Sequence, residues 1–438
     1  MELLITFTVL VAGLMLCMLR GAGLYWAFLA VLVLYFVLAR RRGFSARELG
    51  KMAWSKIPST MIVLRVILFI GLLTGLWRSG GTIAIFVSYG LRLIQPRLFL
   101  LVAFFLTVLL AYALGSSFGV AGTAGVILMT IARSGGVNEA VTAGVLLSAV
   151  YFGDRAAPTS SCASLVAALT ETELYGNVRR MHKTAALPYA LTLAFYIVLS
   201  LKNPIVTVDE TLLSALDEAF VLSPWTLLPA ALMLALPLLH VPIRRAMAVS
   251  ALAALVLTVC VQGMSVGEAL RVCLLGYEPA DGLLAEVVSG GGLISMETPI
   301  LMLPLASLFF GMLEGTGALT QVQTLLGRAA NRLGRFPTLC LLSIVCAMTL
   351  CNQAIVVMVS HQLISAVYAG DGAQHDELAM DIANSGVTIA GLVPWCIACS
   401  VPLGMMGVGV EALPYACLLY LIPLCYLFTK RKFFPERG

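Results

Sequence analysis

The chain has 438 residues, 60% hydrophobic and 11% charged, with a formal net charge of +5. Its mean hydropathy is +0.99 and soluble domains carry about 25% charged residues, so a water-soluble fold is excluded and a polytopic membrane protein is expected, with the lipid bilayer as its first partner. The excess Lys and Arg lies mostly in short polar loops, where it sets orientation in a membrane; no nucleic-acid partner is expected.

Residues 3–19 and 22–39 read as two spans joined by Arg20-Gly21. An acidic start and the lack of a small-residue cleavage site argue against a signal peptide. Arg40, Arg41, Arg42, Arg47, Lys51 and Lys56 form a basic loop assigned to the cytoplasm, which also places the N-terminus inside. Residues 58–77 form a third span, ended by Arg78-Ser79-Gly80-Gly81, with Arg78 expected to snorkel to the interface. Residues 82–95 are short and amphipathic and suit the interface or a place between helices. Residues 98–114 are apolar until Gly115-Ser116-Ser117-Phe118-Gly119 interrupts them as a hairpin tip or an unwound helix, and 120–132 continue.

Glu139, read as interfacial, opens an arm that runs into Tyr151-Phe152-Gly153-Asp154-Arg155-Ala156-Ala157-Pro158-Thr159-Ser160-Ser161. An adjacent Asp and Arg here stand inside membrane-compatible sequence. Gly153 and Pro158 bracket them, and both disfavour a continuous helix. A helix broken at membrane depth is tolerated only inside protein or beside a water-filled cavity, and charges there mark a functional site by default. The competing readings are a solvated loop and a structural Asp154–Arg155 ion pair.

Arg179, Arg180 and Lys183 form a second cytoplasmic basic cluster, with His182 in the same loop. Residues 185–201 span; 202–222, with Asp209, Glu210, Asp217 and Glu218, form an outside loop; 224–241 return to Arg244-Arg245, and 246–262 cross outward. Segment 263–295 is mixed and Gly-rich. Residues 297–313 span, ending near Glu314, a titratable group or a helix cap. Residues 317–335 are amphipathic, and 337–350 approach Cys351-Asn352-Gln353. Residues 354–369 form an arm in which His361 reads as a hydrogen-bonded core histidine. A polar stretch, Asp371 to Asp381, precedes Asn384-Ser385-Gly386 and Val393-Pro394-Trp395. The last span, 412–429, ends at Lys430-Arg431-Lys432, placing the C-terminus inside. The eleven cysteines lie nearly all in apolar runs and read as small buried hydrophobes. Cys396-x-x-Cys399 has no further ligands nearby, so neither metal nor cofactor is expected.

The two halves share a pattern. Ser116 and Pro158 lie 42 positions apart, as do Asn352 and Pro394, and one offset of 236 superposes both breaks, with Gly75 on Gly311 and Gly81 on Gly317. The expected organisation is therefore 1–56, N-terminal spans and basic loop; 57–200, a first repeat; 201–290, linker spans and loops; 291–438, a second repeat. Paired broken segments at matching places point to a transporter's binding site. Half-helix N-termini offer free N–H groups to anions, and unwound carbonyls and hydroxyls offer oxygen to a hard cation. The candidate site is Ser116, Ser117, Phe118, Asp154, Pro158, Thr159, Ser160 and Ser161 from one half, with Asn352, Gln353, Asn384, Thr388, Pro394 and Trp395 from the other.

These residues resemble the NhaC family of sodium/proton antiporters, within the wider ion transporter superfamily. Gly153-Asp154-x-x-x-Pro158-x-Ser160 is similar to that family's G-D-x-x-S-P-x-S-D-T-T, Gly115-Ser116-Ser117-Phe118-Gly119 to its G-T-S-W-G, and Ser385-Gly386 with Leu392-Val393-Pro394-Trp395 to its E-D-x-G … L-I/V-P-W. Gly291 to Met296 matches a further family stretch, and the resemblance covers about residue 55 to the C-terminus. It implies an all-α polytopic fold of two inverted repeats with broken helices or re-entrant hairpins, in about ten to twelve transmembrane segments. It further implies Na+ or H+ as coupling ion, alternating access, a dimeric scaffold and a multi-pass place in the cytoplasmic membrane. Two departures bear on chemistry: Ser161 stands where the family has a carboxylate, and Ala383-Asn384 where it has Glu-Asp. A carboxylate for which Na+ and H+ compete is the simplest exchange device. Its loss at two places leaves two transport activities open, Na+/H+ exchange and ion-coupled movement of an amino acid or carboxylate. A channel, the lower-ranked alternative, would need a continuous polar path, whereas the polar residues cluster at two breaks; an enzyme would need a nucleophile–base pair or metal cluster, and none is visible.

Overall fold

Inside lipid every backbone polar group needs an internal partner, so a spanning chain must coil into helices or close into a barrel. This chain coils. The computed structural model describes residues 2–93, 96–205, 210–239, 241–280, 284–285, 288–318, 320–368 and 372–434. Among these the structure is all-α, with one isolated bridge between Tyr277 and Gly290. Ile94, Gln95, Asp209 and Asp371, which belong to segments read from the sequence, lie outside the described residues.

Two continuous stretches, Ser117–Ser134 and Leu293–Gly315, are long and apolar enough to cross a membrane. Four further pairs of helices meet that test together but bend at a short break, among them Leu64–Ser79 with Thr82–Tyr89 at 62° and Gln374–Leu392 with Ile397–Met406 at 49°. Among the described residues, length and composition therefore count up to six spans, and shorter apolar helices such as Phe99–Leu114 and Arg335–Leu350 stand beside them. The expected ten to twelve segments are not that many uninterrupted rods, because Gly and polar breaks divide them.

The N-terminal basic segment is more ordered than its sequence implies. Ser45 and Glu48 form a reciprocal capping box that starts the helix Ala46–Trp54. That helix docks on Glu297–Gly315, where a Cβ at Gly311 would come 2.4 Å from the Met52 carbonyl oxygen. Lys56 pairs with Glu314 at 2.5 Å, so Glu314 is an ion-pair partner. Glu139 likewise pairs with Arg133 at 2.7 Å. Helix Thr82–Leu93 is buried over most of Thr82 to Ser88, which places it between helices. Arg78 does not snorkel: it is buried at 5% exposure, and its Nε and Nη1 have no hydrogen-bond partner among the described residues.

At the offset of 236 the backbone itself repeats. Gly115 (φ 60) and Cys351 (φ 53) are both left-handed and end Phe99–Leu114 and Arg335–Leu350. Ser116 (φ −137, ψ 113) and Asn352 (φ −135, ψ 119) are both extended, and both side chains cap the next helix, Ser116 from Gly119 N and Asn352 from Ala354 N and Ile355 N. Ser160 (φ −70, ψ 130) and Cys396 (φ −68, ψ 135) precede Ser161–Leu169 and Ile397–Met406 in the same way. The halves differ between these points. Glu139–Ala156 runs unbroken, whereas its counterpart is interrupted at Ser385 (φ −122, ψ −82) before Gly386–Ile389.

Three expectations are corrected here. Gly153 does not break its helix, which continues through Asp154 and Arg155 to Ala156; the break is Ala157–Ser160. Gly153 serves close packing, since a Cβ there would lie 2.2 Å from the Ala111 carbonyl carbon. His182 is no loop residue: it lies on Leu174–Thr184, its ring 5.5 Å from Phe152. His361, read as a core histidine, is partly exposed on Gln353–Ile364.

Candidate functional site

The two breaks meet. A cavity of about 680 Å³ is bounded by Gly115–Phe118 of the first, by Asn352–Ala354 of the second, and by Asp154, Thr159 and Ser161. Of the sequence-derived candidates, Ser116, Ser117, Phe118, Asp154, Thr159, Ser161, Asn352 and Gln353 line it together.

Asp154 sits near the C-terminal end of its own helix, where a negative charge is disfavoured. Its carboxylate is placed instead at the start of the Ser117–Ser134 stretch, facing the Ser117 backbone N–H, the Ser117 hydroxyl and the Gln353 side-chain amide. Ser117 and Gln353, each the first residue of its helix and one from each half, thus line the same cavity as this acid. Asp154 is 3% exposed, and its Oδ2 has no hydrogen-bond partner among the described residues. A buried carboxylate oxygen without a donor has room for a proton or a metal cation.

Arg155 points elsewhere. Consecutive residues on a helix do not face each other, and the Asp154–Arg155 ion pair does not form among the described residues. The Arg155 guanidinium donates to the Ala383 carbonyl at 3.3 Å, the Met181 carbonyl at 3.0 Å, the Tyr189 hydroxyl at 3.3 Å, and the Oδ1 of Asn384. Arg155 therefore ties the first-half helix to the interruption in the second half, behind the cavity.

The other candidates are not in the cavity lining. Ser160 is fully buried and caps Ser161–Leu169 by accepting from Cys162 N at 3.0 Å, while its hydroxyl donates to the Asp154 carbonyl. Thr388 bonds back to its own helix, at 3.2 Å to the Ser385 carbonyl. Trp395 is buried, its Nε1 donating to the Met348 carbonyl at 2.8 Å, so it packs the second break and is no lid. Asn384 binds Arg155, and Pro394 and Pro158 shape their turns without reaching the lining. Gln353 links the second break to the second-half interruption through the Val387 carbonyl at 3.0 Å.

Two features escaped the sequence reading. Pro237, Val241 and Arg244, from segments read as ordinary spans and an inside loop, close one side of the cavity. Asp381, read as the end of a polar stretch, is fully buried and receives Tyr368 Oη at 2.5 Å, Tyr426 Oη at 3.0 Å and Lys430 Nζ at 2.5 Å. Lys430, read as a cytoplasmic anchor, turns inward and also pairs with Glu377 at 2.6 Å. Helical spacing was the available signal, because Asp381, Asn384 and Ser385 share a face at i, i+3 and i+4.

Residues 149–429 match the model of the Na+/H+ antiporter family. The chain is 28% identical over 383 residues to an uncharacterized Na(+)/H(+) antiporter of Haemophilus influenzae, covering 83% of this chain and 81% of that one. It is 25% identical over 404 residues to the malate-2H(+)/Na(+)-lactate antiporter of Bacillus subtilis, covering 90% and 86%. It is 24% identical over 388 residues to the Na(+)/H(+) antiporter NhaC of Alkalihalophilus pseudofirmus, covering 85% and 84%. The matched stretch takes in Asp154, Asn352, Gln353 and the second-half interruption, and with it the chain belongs to the Na+/H+ antiporter family, as a secondary transporter of the NhaC type.

Proposed function

We propose that the protein is a cation-coupled antiporter in which Asp154 holds the coupling ion, Na+ or H+, and a small organic solute occupies the rest of the same cavity. The observation that carries this is the cavity of about 680 Å³ with Asp154 as the carboxylate in its lining. A bare cation needs only a shell of oxygens, whereas this volume lies in the range of organic-ligand pockets, roughly 300–1,000 Å³. Na+ and H+ would compete for the free oxygen of Asp154, since a proton removes the charge that attracts the metal ion. The relative named a malate-2H(+)/Na(+)-lactate antiporter lends support, since its name pairs solutes with both ions.

The repeated backbone breaks support an assignment of 57–200 and 291–438 as two repeats of opposite orientation, flanked by 1–56 and joined by 201–290. Movement of the unit carrying both breaks would expose Asp154 to each side in turn. The basic clusters at 40–56, 179–183, 244–245 and 430–432 favour a cytoplasmic N- and C-terminus in the inner membrane. A homodimeric scaffold follows from the superfamily resemblance. The protein acts in this reading as a carrier and not as an enzyme.

A second reading, Na+/H+ exchange without a solute, is favoured by the relatives named Na+/H+ antiporters. Proteoliposomes separate the two. The proposal expects a Na+ gradient to drive saturable accumulation of an organic solute. A pH change of matching size under the same gradient, with no dependence on added solute, would establish simple exchange instead.

A further inference from the structure

We propose that the solute is a small organic acid and that Arg244 binds its carboxylate; this rests on the cation site at Asp154. The cavity wall away from the polar groups is apolar, with Val66, Leu114, Leu165 and Val241 among its residues. Two charges of opposite sign line it, Asp154 and Arg244, and they come from different parts of the fold. Asp154 ends the buried helix Glu139–Ala156, while Arg244 lies in the first turn of Ile243–Cys260, which packs against Leu228–Leu238 and Ile57–Ser79. Arg245, next in sequence, does not line the cavity. The described ion pairs leave Arg244 out. A guanidinium presents a planar fork of N–H donors that matches a carboxylate in two parallel hydrogen bonds, and it keeps its charge at any working pH.

The charges explain why a cation and an acid would share one leg of the exchange. With Asp154 empty and ionised, an entering carboxylate meets a negative charge in a low-dielectric space. With Na+ or H+ on Asp154 that repulsion is gone, and the loaded cavity is neutral: Asp154 against the cation, the solute against Arg244. An amine or diamine is the poorer fit, since Arg244 repels it and Asp154 is the one acid among the described residues of the lining. Arg244 also stands on a hairpin outside both breaks, so solute binding would draw that hairpin toward the unit that holds the ion.

The test uses the purified full-length chain, with thermal shift and proteoliposome uptake. The probes are Na+ alone, then acetate, L-lactate and succinate in saturating Na+, with L-lactamide as the uncharged counterpart and putrescine as the cationic one. The expected result is stabilisation by at least one carboxylate, none by lactamide or putrescine, and a carboxylate affinity that falls when Na+ is replaced by choline at alkaline pH. Arg244→Gln should weaken the carboxylate by about tenfold or more, about 1.4 kcal/mol, and leave the shift produced by Na+ alone intact. Arg244→Lys should recover only part of the affinity. Equal binding of lactamide and lactate, or unchanged carboxylate affinity in Arg244→Gln, overturns the proposal while the Na+ shift stands. Absence from the wild-type protein of any stabilisation, by Na+ or by lowered pH, that Asp154→Asn removes overturns the Asp154 reading beneath it.

Discussion

Arg155 and Asn384 are hydrogen-bonded across the two halves of the molecule, the Nη2 of the first donating to the Oδ1 of the second. The same guanidinium reaches the Ala383 carbonyl, one of the orphan carbonyls where Gly372–Asn384 ends. A cation at a helix C-terminus is favourable, so this contact fixes the charge beside Asp154 without using Asp154. Asn384→Leu should lower the unfolding free energy by about 1.5–3 kcal/mol, the usual worth of a hydrogen bond to a charged group, read as a drop in Tm in detergent. Asn384→Asp keeps the acceptor and adds a countercharge, and is expected to hold Tm near the wild-type value.

Asp154→Asn removes the charge proposed to bind the ion, at nearly constant volume. Transport should be lost and Tm shift by no more than a few degrees, with Na+ no longer raising it. Ser161 lines the same cavity, so Ser161→Asp adds a second carboxylate there. Its expected effect is an apparent Na+ affinity tighter by about tenfold, measured by Na+ titration of uptake. A Na+ affinity unaffected by either change would place the cation elsewhere.

Two glycines of similar helical setting should respond oppositely to alanine. A Cβ at Gly153 would collide with the Ala111 backbone at 2.2 Å, and Gly153→Ala should destabilise by several kcal/mol, on the order of an overpacked core or more. At Gly404 nothing lies within 4 Å, and Gly404→Ala should raise stability by up to about 1 kcal/mol through helix propensity. Thermal unfolding of both variants, side by side, checks the pair.

Lys430 is the cation of a buried acid. Lys430→Met leaves Asp381 at 0% exposure with only two tyrosine hydroxyls as partners, and should cost about 3–5 kcal/mol. Asp381→Asn in the same background should restore much of it, because the unpaired charge is then gone. Lys432→Met, at an exposed position two residues on, should stay within about 0.5 kcal/mol of wild type.

How far these features could be read from the chain alone depends on their range. Gly115-Ser116 and Asn352-Gln353 were legible as breaks because the signal is local: a small or polar pair between apolar arms, repeated at one offset. Gly153 misled for the same reason, since a glycine inside a helix announces either a break or a close neighbour, and only the position of Ala111 decides. Arg244 and Lys430 carried the pattern of cytoplasmic anchors, and nothing within a few residues of either reveals that one borders the cavity and the other reaches Asp381. Asn384 was read into the cavity by analogy with the first half; the extra interruption at Ser385 turns it toward Arg155 instead.

Gly115 leaves no space against Thr159, where a Cβ would come 2.3 Å from the backbone, and the Thr159 hydroxyl is bonded to the Tyr112 carbonyl at 2.9 Å. With Gly153 wedged on Ala111, the helices Phe99–Leu114 and Glu139–Ala156 are clamped together at both levels. They cannot swivel independently and would move as one body in the transport stroke. The ion's berth would then be carried across the bilayer like freight in a sealed crate, its walls unchanged while the crate tilts.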